Sequence, residues 1–223
     1  MAQEIVLYWG EGSTPCWRVM IALEEKGLSN YTSKRLAFEK MEHKSAEVMA
    51  LNPRGQLPTF KFEEKIINES CAACMFLECK FKDQGNQLTP TSCDEKAKMF
   101  QRLFEGLTLG QKLGEVIYYD WKVPEGERHE SAKTRNREAL RAELQLWEGY
   151  MAKETGPYIA GKTFSLADVI IFPSIAYAFY LGLCPKRFPK LAQYHDMVKE
   201  RPSINKTWFS AWKDNNKDTL KDI

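Results

Sequence analysis

The sequence has almost no net charge: 32 lysines and arginines stand against 30 aspartates and glutamates, leaving +2. It has no basic run and no module that interleaves basic with aromatic residues, so nucleic acid is not expected as a partner. Histidine is scarce, at three residues, and neither His129 nor His195 belongs to a ligand pattern; both are expected at the surface. Cys71 and Cys74 form a C-x-x-C, but no second cysteine pair or histidine cluster completes a zinc site. A packed helical face accounts for the pair, and no metal is expected. Long apolar runs are missing too. The most apolar stretch, Val169 to Cys184, contains Pro173 and Ser174, has Asp168 at its edge and falls short of the ~20 residues of a membrane span. A buried core helix is expected there, and no membrane contact. The amino end, MAQEIVLYWG, lacks the basic start, apolar block and small-residue cleavage site of a secretion signal. A cytoplasmic location is therefore expected, in which the six cysteines at 16, 71, 74, 79, 93 and 184 stay free thiols.

What is present suits a globular chain with two kinds of grammar. A hydrophobic fraction of 43% over 223 residues fills a real core. Glu4 to Trp9 is a short apolar strand candidate, followed by the loop Gly10 to Pro15 and then a helical pattern, CWRVMIALEEKG, stopped by Gly27. Tyr31 to Phe38 reads as a weaker second strand, which makes a parallel β-α-β unit. A short helix over 45–50, strands over 59–62 and 65–68 joined at Glu63-Glu64, and a helix from Ser70 give the order β-α-β-α-β-β-α of a thioredoxin-like half. The polar, Gly- and Pro-containing DQGNQLTPTS, residues 83–92, is the linker. This divides the chain into an α/β domain at 1–82 and an all-α domain at 93–223.

In the second half, Phe100, Leu103, Phe104 and Leu107 are assigned to one face of a long helix running to about Trp121. Leu140, Leu144, Trp147 and Met151 make a second stripe. Ser165-Leu166-Ala167-Asp168 reads as a capping box flanked by Phe164 and Val169, and Pro189 and Pro202 each open a further helix.

Four landmarks then fall in one order across the whole chain: GSTPCWRVMIALEEKG, NPRGQLP, NES and FSLAD. In this the sequence resembles the cytosolic glutathione S-transferases. Its loop resembles the serine-type classes, and PCWRVMIALEEK, FEKMEHKS, NPRGQLP, VPEGERHE and the final DTLKDI resemble the rho class.

The resemblance implies a homodimeric transferase (EC 2.5.1.18) that joins the glutathione thiolate to small apolar electrophiles in detoxification. Glutathione is a co-substrate, and no bound cofactor is implied. Ser13, five residues before Arg18, matches the serine that donates to the sulfur; Tyr8, near the end of strand one, is the alternative donor. Cys16 does not match the redox cysteine of other classes, and Arg18 and Asp168 are read as structural. Leu57-Pro58 matches a cis-proline site whose backbone pairs with the tripeptide as an added strand. Glu69 and Ser70 match the pair that receives the γ-glutamyl end, with Ser70 read as the cap of helix three. Gln56, His43, Lys44 and Arg54 are further glutathione contacts, the last three open to the simpler account of solvated loop charges. Phe104, Leu107, Tyr118, Trp121 and Trp208 are candidates for an electrophile pocket formed between the first loop and the helical half. A non-catalytic carrier of apolar ligands, or a glutathione-dependent peroxidase, isomerase or dehalogenase, remains the alternative.

Overall fold

The computed structural model describes residues 4–213 and 217–223; the expectation for the first three residues lies outside these. The chain divides into two compact units, Met1–Leu88 with Pro202–Asp214, and Thr89–Arg201 with Asn215–Ile223.

The first unit is built on a four-stranded sheet of order β2-β1-β3-β4, from β1 (Ile5–Trp9), β2 (Thr32–Arg35), β3 (Thr59–Phe62) and β4 (Lys65–Ile67). β1 pairs in parallel with β2 and antiparallel with β3. Its run IVLYW is buried at four of five positions, as a strand covered on both faces should be. β2 is shorter than the expected 31–38. Leu36 still donates its N–H to the Trp9 carbonyl, but the next amide, Ala37, turns to the Glu42 carboxylate at 2.7 Å and leaves the ladder.

Helix α1 (Thr14–Glu25) begins at Ser13 and ends in Gly27 at φ +65°. There Leu28 N–H reaches the Leu23 carbonyl and Gly27 N–H the Glu24 carbonyl, a Schellman stop that needs the left-handed glycine. Helix α2 (Ala46–Leu51) is capped by Ser45, whose hydroxyl accepts the Val48 N–H. Helix α3 (Ser70–Lys80) starts one residue earlier than its capping assignment requires: Glu69 is the cap and Ser70 the first helical residue. The Ser70 oxygen is turned inward to accept from Arg18 Nη1 at 3.2 Å, so it does not close the helix end.

The unit also holds residues from far along the chain, which the division at 83–92 had given to the helical half. Helix α9 (Pro202–Thr207) packs on α1. The Trp17 indole donates to the Thr207 hydroxyl at 2.7 Å, and Ser203 donates to the buried Glu25 carboxylate. Phe209 and Trp212 close around the Trp17 ring.

The second unit is helical: α4 (Cys93–Ile117), α5 (Tyr119–Lys122), α6 (Glu130–Lys153), α7 (Leu166–Tyr180) and α8 (Pro189–Lys199). Twelve of the fifteen residues of α7 are buried, the pattern of a helix enclosed on all sides. None of the described helices is long and apolar enough to cross a membrane. α4 packs on α7 through Gly106, where a Cβ would fall 2.3 Å from Ile171 Cγ1. The buried stripe of α4 is therefore Met99, Leu103, Gly106, Leu109 and Leu113. Phe104 and Leu107 lie off that face and stay exposed, which corrects the single stripe read from the sequence. The long helix also breaks at Tyr118, short of Trp121.

His195 is another correction. Its ring lies parallel to Phe172 and 4.9 Å from Phe179, leaving the side chain 14% exposed, and burial lowers its pKa. Nothing in the local sequence of α8 announces this, because both aromatic neighbours come from α7. His129 is exposed, as expected.

Asp168 anchors the start of α7. Its buried carboxylate accepts from the Ile159 N–H (3.0 Å), the Ser165 N–H (2.9 Å), the Ser165 hydroxyl (3.0 Å) and the Tyr194 hydroxyl (3.0 Å). Burial outweighs these four donors and pushes its pKa up from 3.8 to about 6. Between those two values the folded chain holds a proton that the unfolded chain has lost. The stabilisation is therefore complete below pH ~4 and is lost as pH rises through ~6, by about 3 kcal/mol in all. In urea titrations, the stability of the parent relative to Asp168→Asn is expected to fall across that window; a flat difference would refute the assignment.

Candidate functional site

The residues singled out around the β1–α1 loop, α2, the β3 approach and the start of α3 all lie in the first unit. Ser13 is the cap of α1, with extended backbone (φ −81°, ψ 106°) and its hydroxyl oxygen accepting the Cys16 N–H at 3.4 Å. The loop that carries it is packed closely against Phe38: a Cβ on Gly10 would fall 2.1 Å from Phe38 Cε2. No acidic residue occupies the first turn of α1, so its positive end is not cancelled from within. The Cys16 thiol is fully buried beneath the loop. Burial raises its pKa to about 11, against the opposing effects of the Ser13 hydroxyl, the Gly10 backbone and the Arg18 charge. It stays a neutral thiol.

Tyr8 is placed differently. Its ring is buried, its hydroxyl donates to Glu47 Oε1 at 2.9 Å, and Lys34 Nζ donates to that hydroxyl at 3.0 Å and to Glu47 at 2.7 Å. The phenolic proton is already committed to a carboxylate. Sequence reading missed this triad, although Glu47 in the first turn of α2 and Lys34 opposite Tyr8 in the β1–β2 register were its signals.

The next group is contiguous. Lys44 donates to the Arg54 carbonyl at 3.0 Å, and Arg54 Nη1 lies 3.9 Å from Glu69 Oε1. His43 stands beside Lys44 in a single 3₁₀ turn, edge-on to Phe38. Its Nδ1 is buried with no hydrogen-bond partner among the described residues, and burial, then the Lys44 charge, lowers its pKa. Gln56 is exposed; its carbonyl accepts from Asn52 Nδ2 and Thr59 Oγ1, which pins the turn before β3. The Leu57–Pro58 bond is cis, and no hydrogen bond among the described residues takes up the Leu57 N–H or C=O. Ser70 is buried at the foot of α3, and Arg18, which reaches it from α1, links the two helix starts. A cleft of about 270 Å³ opens beside the loop among Glu11, Arg35, Phe38 and Glu42.

The five electrophile candidates do not form one cluster within a unit. Phe104, Leu107, Tyr118 and Trp121 are in the second unit, all exposed, with Trp121 at 81%. Tyr118 and Trp121 meet edge to face at 6.5 Å. Trp208 belongs to the first unit, where it lies edge-on to Trp17. Among the described residues there is no cluster of metal-ligating side chains.

Comparison with known proteins agrees with this architecture. Residues 12–80 match the description "Glutathione S-transferase, N-terminal domain" and residues 110–210 match "Glutathione S-transferase, C-terminal domain". The chain is 58% identical to Glutathione S-transferase A of Pleuronectes platessa, over all of both chains. Among solved structures, a glutathione S-transferase from the Antarctic clam Laternula elliptica superposes with a TM-score of 0.87 at 36% identity, over 98% of this chain and 99% of that one. A glutathione transferase from Phanerochaete chrysosporium, solved in complex with oxidized glutathione, gives 0.79 at 28% identity over 93% and 96%. With a thioredoxin-like unit carrying the helix-mouth loop, an all-helical second unit and a full-length relative at this identity, the chain belongs to the glutathione S-transferase family of enzymes.

Proposed function

We propose that the first unit binds glutathione and that Ser13 holds its sulfur as a thiolate for attack on small apolar electrophiles. The observation that carries this reading is the state of the two hydroxyls. Ser13 Oγ accepts the Cys16 N–H and lies against the neutral Cys16 thiol, a weak partner from which its O–H can turn to a ligand. The Tyr8 hydroxyl is bound to Glu47. A thiol has a reference pKa of ~8.5, and lowering it by about two units requires ~2.7 kcal/mol in favour of the anion. A hydroxyl donor together with the positive end of α1 supplies that range.

The remainder of the tripeptide is proposed to lie along the group described above. The Leu57 amide and carbonyl pair with its cysteinyl backbone, with Gln56 and Pro58 shaping the turn. The Glu69 carboxylate and the Ser70 end of α3 meet the γ-glutamyl charges. His43, Lys44 and Arg54 face the glycyl carboxylate. The exposed Phe104, Leu107, Tyr118 and Trp121 are the proposed surface for the electrophile, while Trp208 belongs with the Trp17 packing. The motifs FEKMEHKS and VPEGERHE support assignment to the rho class, and we extend the proposal to a cytoplasmic homodimer acting in detoxification.

Ser13→Ala is expected to return the pKa of bound glutathione toward ~8.5 and to cut turnover of an aryl halide by ~10²-fold. Thiolate absorbance and initial rates read the two effects. Tyr8→Phe is expected to change both by less than about threefold, since the hydroxyl it removes serves Glu47. The reverse ranking would transfer the role to Tyr8. Uptake of glutathione without turnover of any electrophile would favour a carrier.

A further inference from the structure

The C-x-x-C at the start of α3 is not used by the proposed reaction, and its spacing on the helix suits a dithiol. Cys71 is the second residue of the helix and half-buried, while Cys74, one turn on, is fully buried. Residues three apart on a helix have Cα atoms ~5 Å apart, inside the ~4.4–6.8 Å range of disulfides. Their Cβ atoms, ~5–6 Å apart, must close to ~4 Å, which a first helical turn can do by tightening. Cys71 also has a cationic neighbour: Arg18 Nη1 stands 3.9 Å from its sulfur while donating to Ser70. Cys79 and Cys93 are exposed without a described neighbour of this kind, and Cys16 is sealed under its loop.

We propose that Cys71 and Cys74 form a redox site that reduces an organic hydroperoxide and closes to an intrahelical disulfide. The Cys71 sulfur attacks the terminal oxygen of the hydroperoxide; the O–O bond breaks, the alcohol leaves with the proton, and Cys71 becomes a sulfenic acid. The Cys74 sulfur then attacks that of Cys71; the S–O bond breaks, and the departing hydroxide takes the Cys74 proton as water. Two thiols are oxidised and one hydroperoxide is reduced. Burial keeps the Cys74 thiol protonated and away from solvent oxidant, so its accessible partner is Cys71. Closure draws Cys71 away from Arg18 and disturbs the Ser70 contact. On the glutathione reading given above, on which this one consequence rests, the oxidised form holds the tripeptide more weakly.

The test uses the full chain carrying Cys79→Ser and Cys93→Ser, treated with tert-butyl hydroperoxide. The expected result is loss of two hydrogens in the intact mass, a peptide map joining Cys71 to Cys74, and reversal by dithiothreitol. In Cys74→Ser, Cys71 is expected to stop at a sulfenic acid trapped by dimedone. If that variant fails to fold, the map on the Cys74-containing chain decides alone. Both thiols remaining free, a link to another cysteine, or Cys71 gaining oxygen without linking would overturn the proposal. Calorimetry with glutathione is expected to show ~tenfold weaker binding after oxidation. Absence of binding by the reduced chain would remove the glutathione reading and leave the dithiol standing on its map.

Discussion

Burial of charge on one helix governs the first unit. Arg18 and Glu25 of α1, with Lys26 at its end, are all 7% exposed or less. A buried ion left without a partner costs several kcal/mol, so the surrounding chain is obliged to answer each one. It does so from three directions. Ser70 answers Arg18, Ser203 and Asn86 answer Glu25, and Glu78 with the Asn86 carbonyl answers Lys26. These bonds fix where α3, the segment near residue 86 and α9 can sit around α1. The mouth of that helix, where Ser13 lies, is thereby held by a frame whose geometry is set further along the same helix.

The framework also explains how structure and chemistry share residues. Ser13 closes α1 and at the same time is the proposed donor; the two roles do not compete because one uses the oxygen and the other the proton. Ser70 is used in the same way. Its oxygen accepts from Arg18, so what α3 offers a ligand is the Ser70 O–H together with the helix amides and the Glu69 side chain.

Much of this was legible in the sequence, for physical reasons that differ by element. Strands β1 and β3, α1 with its glycine stop, and the Asp168 cap are local patterns, and each appears where its residues place it. What escaped reading depended on distant partners. The shortening of β2 is decided by Glu42, and the enclosure of His195 by two rings on α7. The displaced stripe on α4 follows from Gly106, whose missing side chain admits Ile171 and turns Phe104 and Leu107 outward. In the site, the cis Leu57–Pro58 and the Glu69–Ser70 start of α3 were visible as motifs. The commitment of Tyr8 to Glu47 and Lys34 was not, since it joins three elements that lie apart in sequence.

The return of residues 202–213 to the first unit has a consequence for synthesis on the ribosome. When residues 1–88 have emerged, Trp17 has no Thr207 to receive its indole proton and Glu25 no Ser203 hydroxyl. The α/β half therefore stays unfinished until residues 202–212 have been translated. A fragment cut at the apparent linker would present a bare tryptophan surface to any chaperone it met.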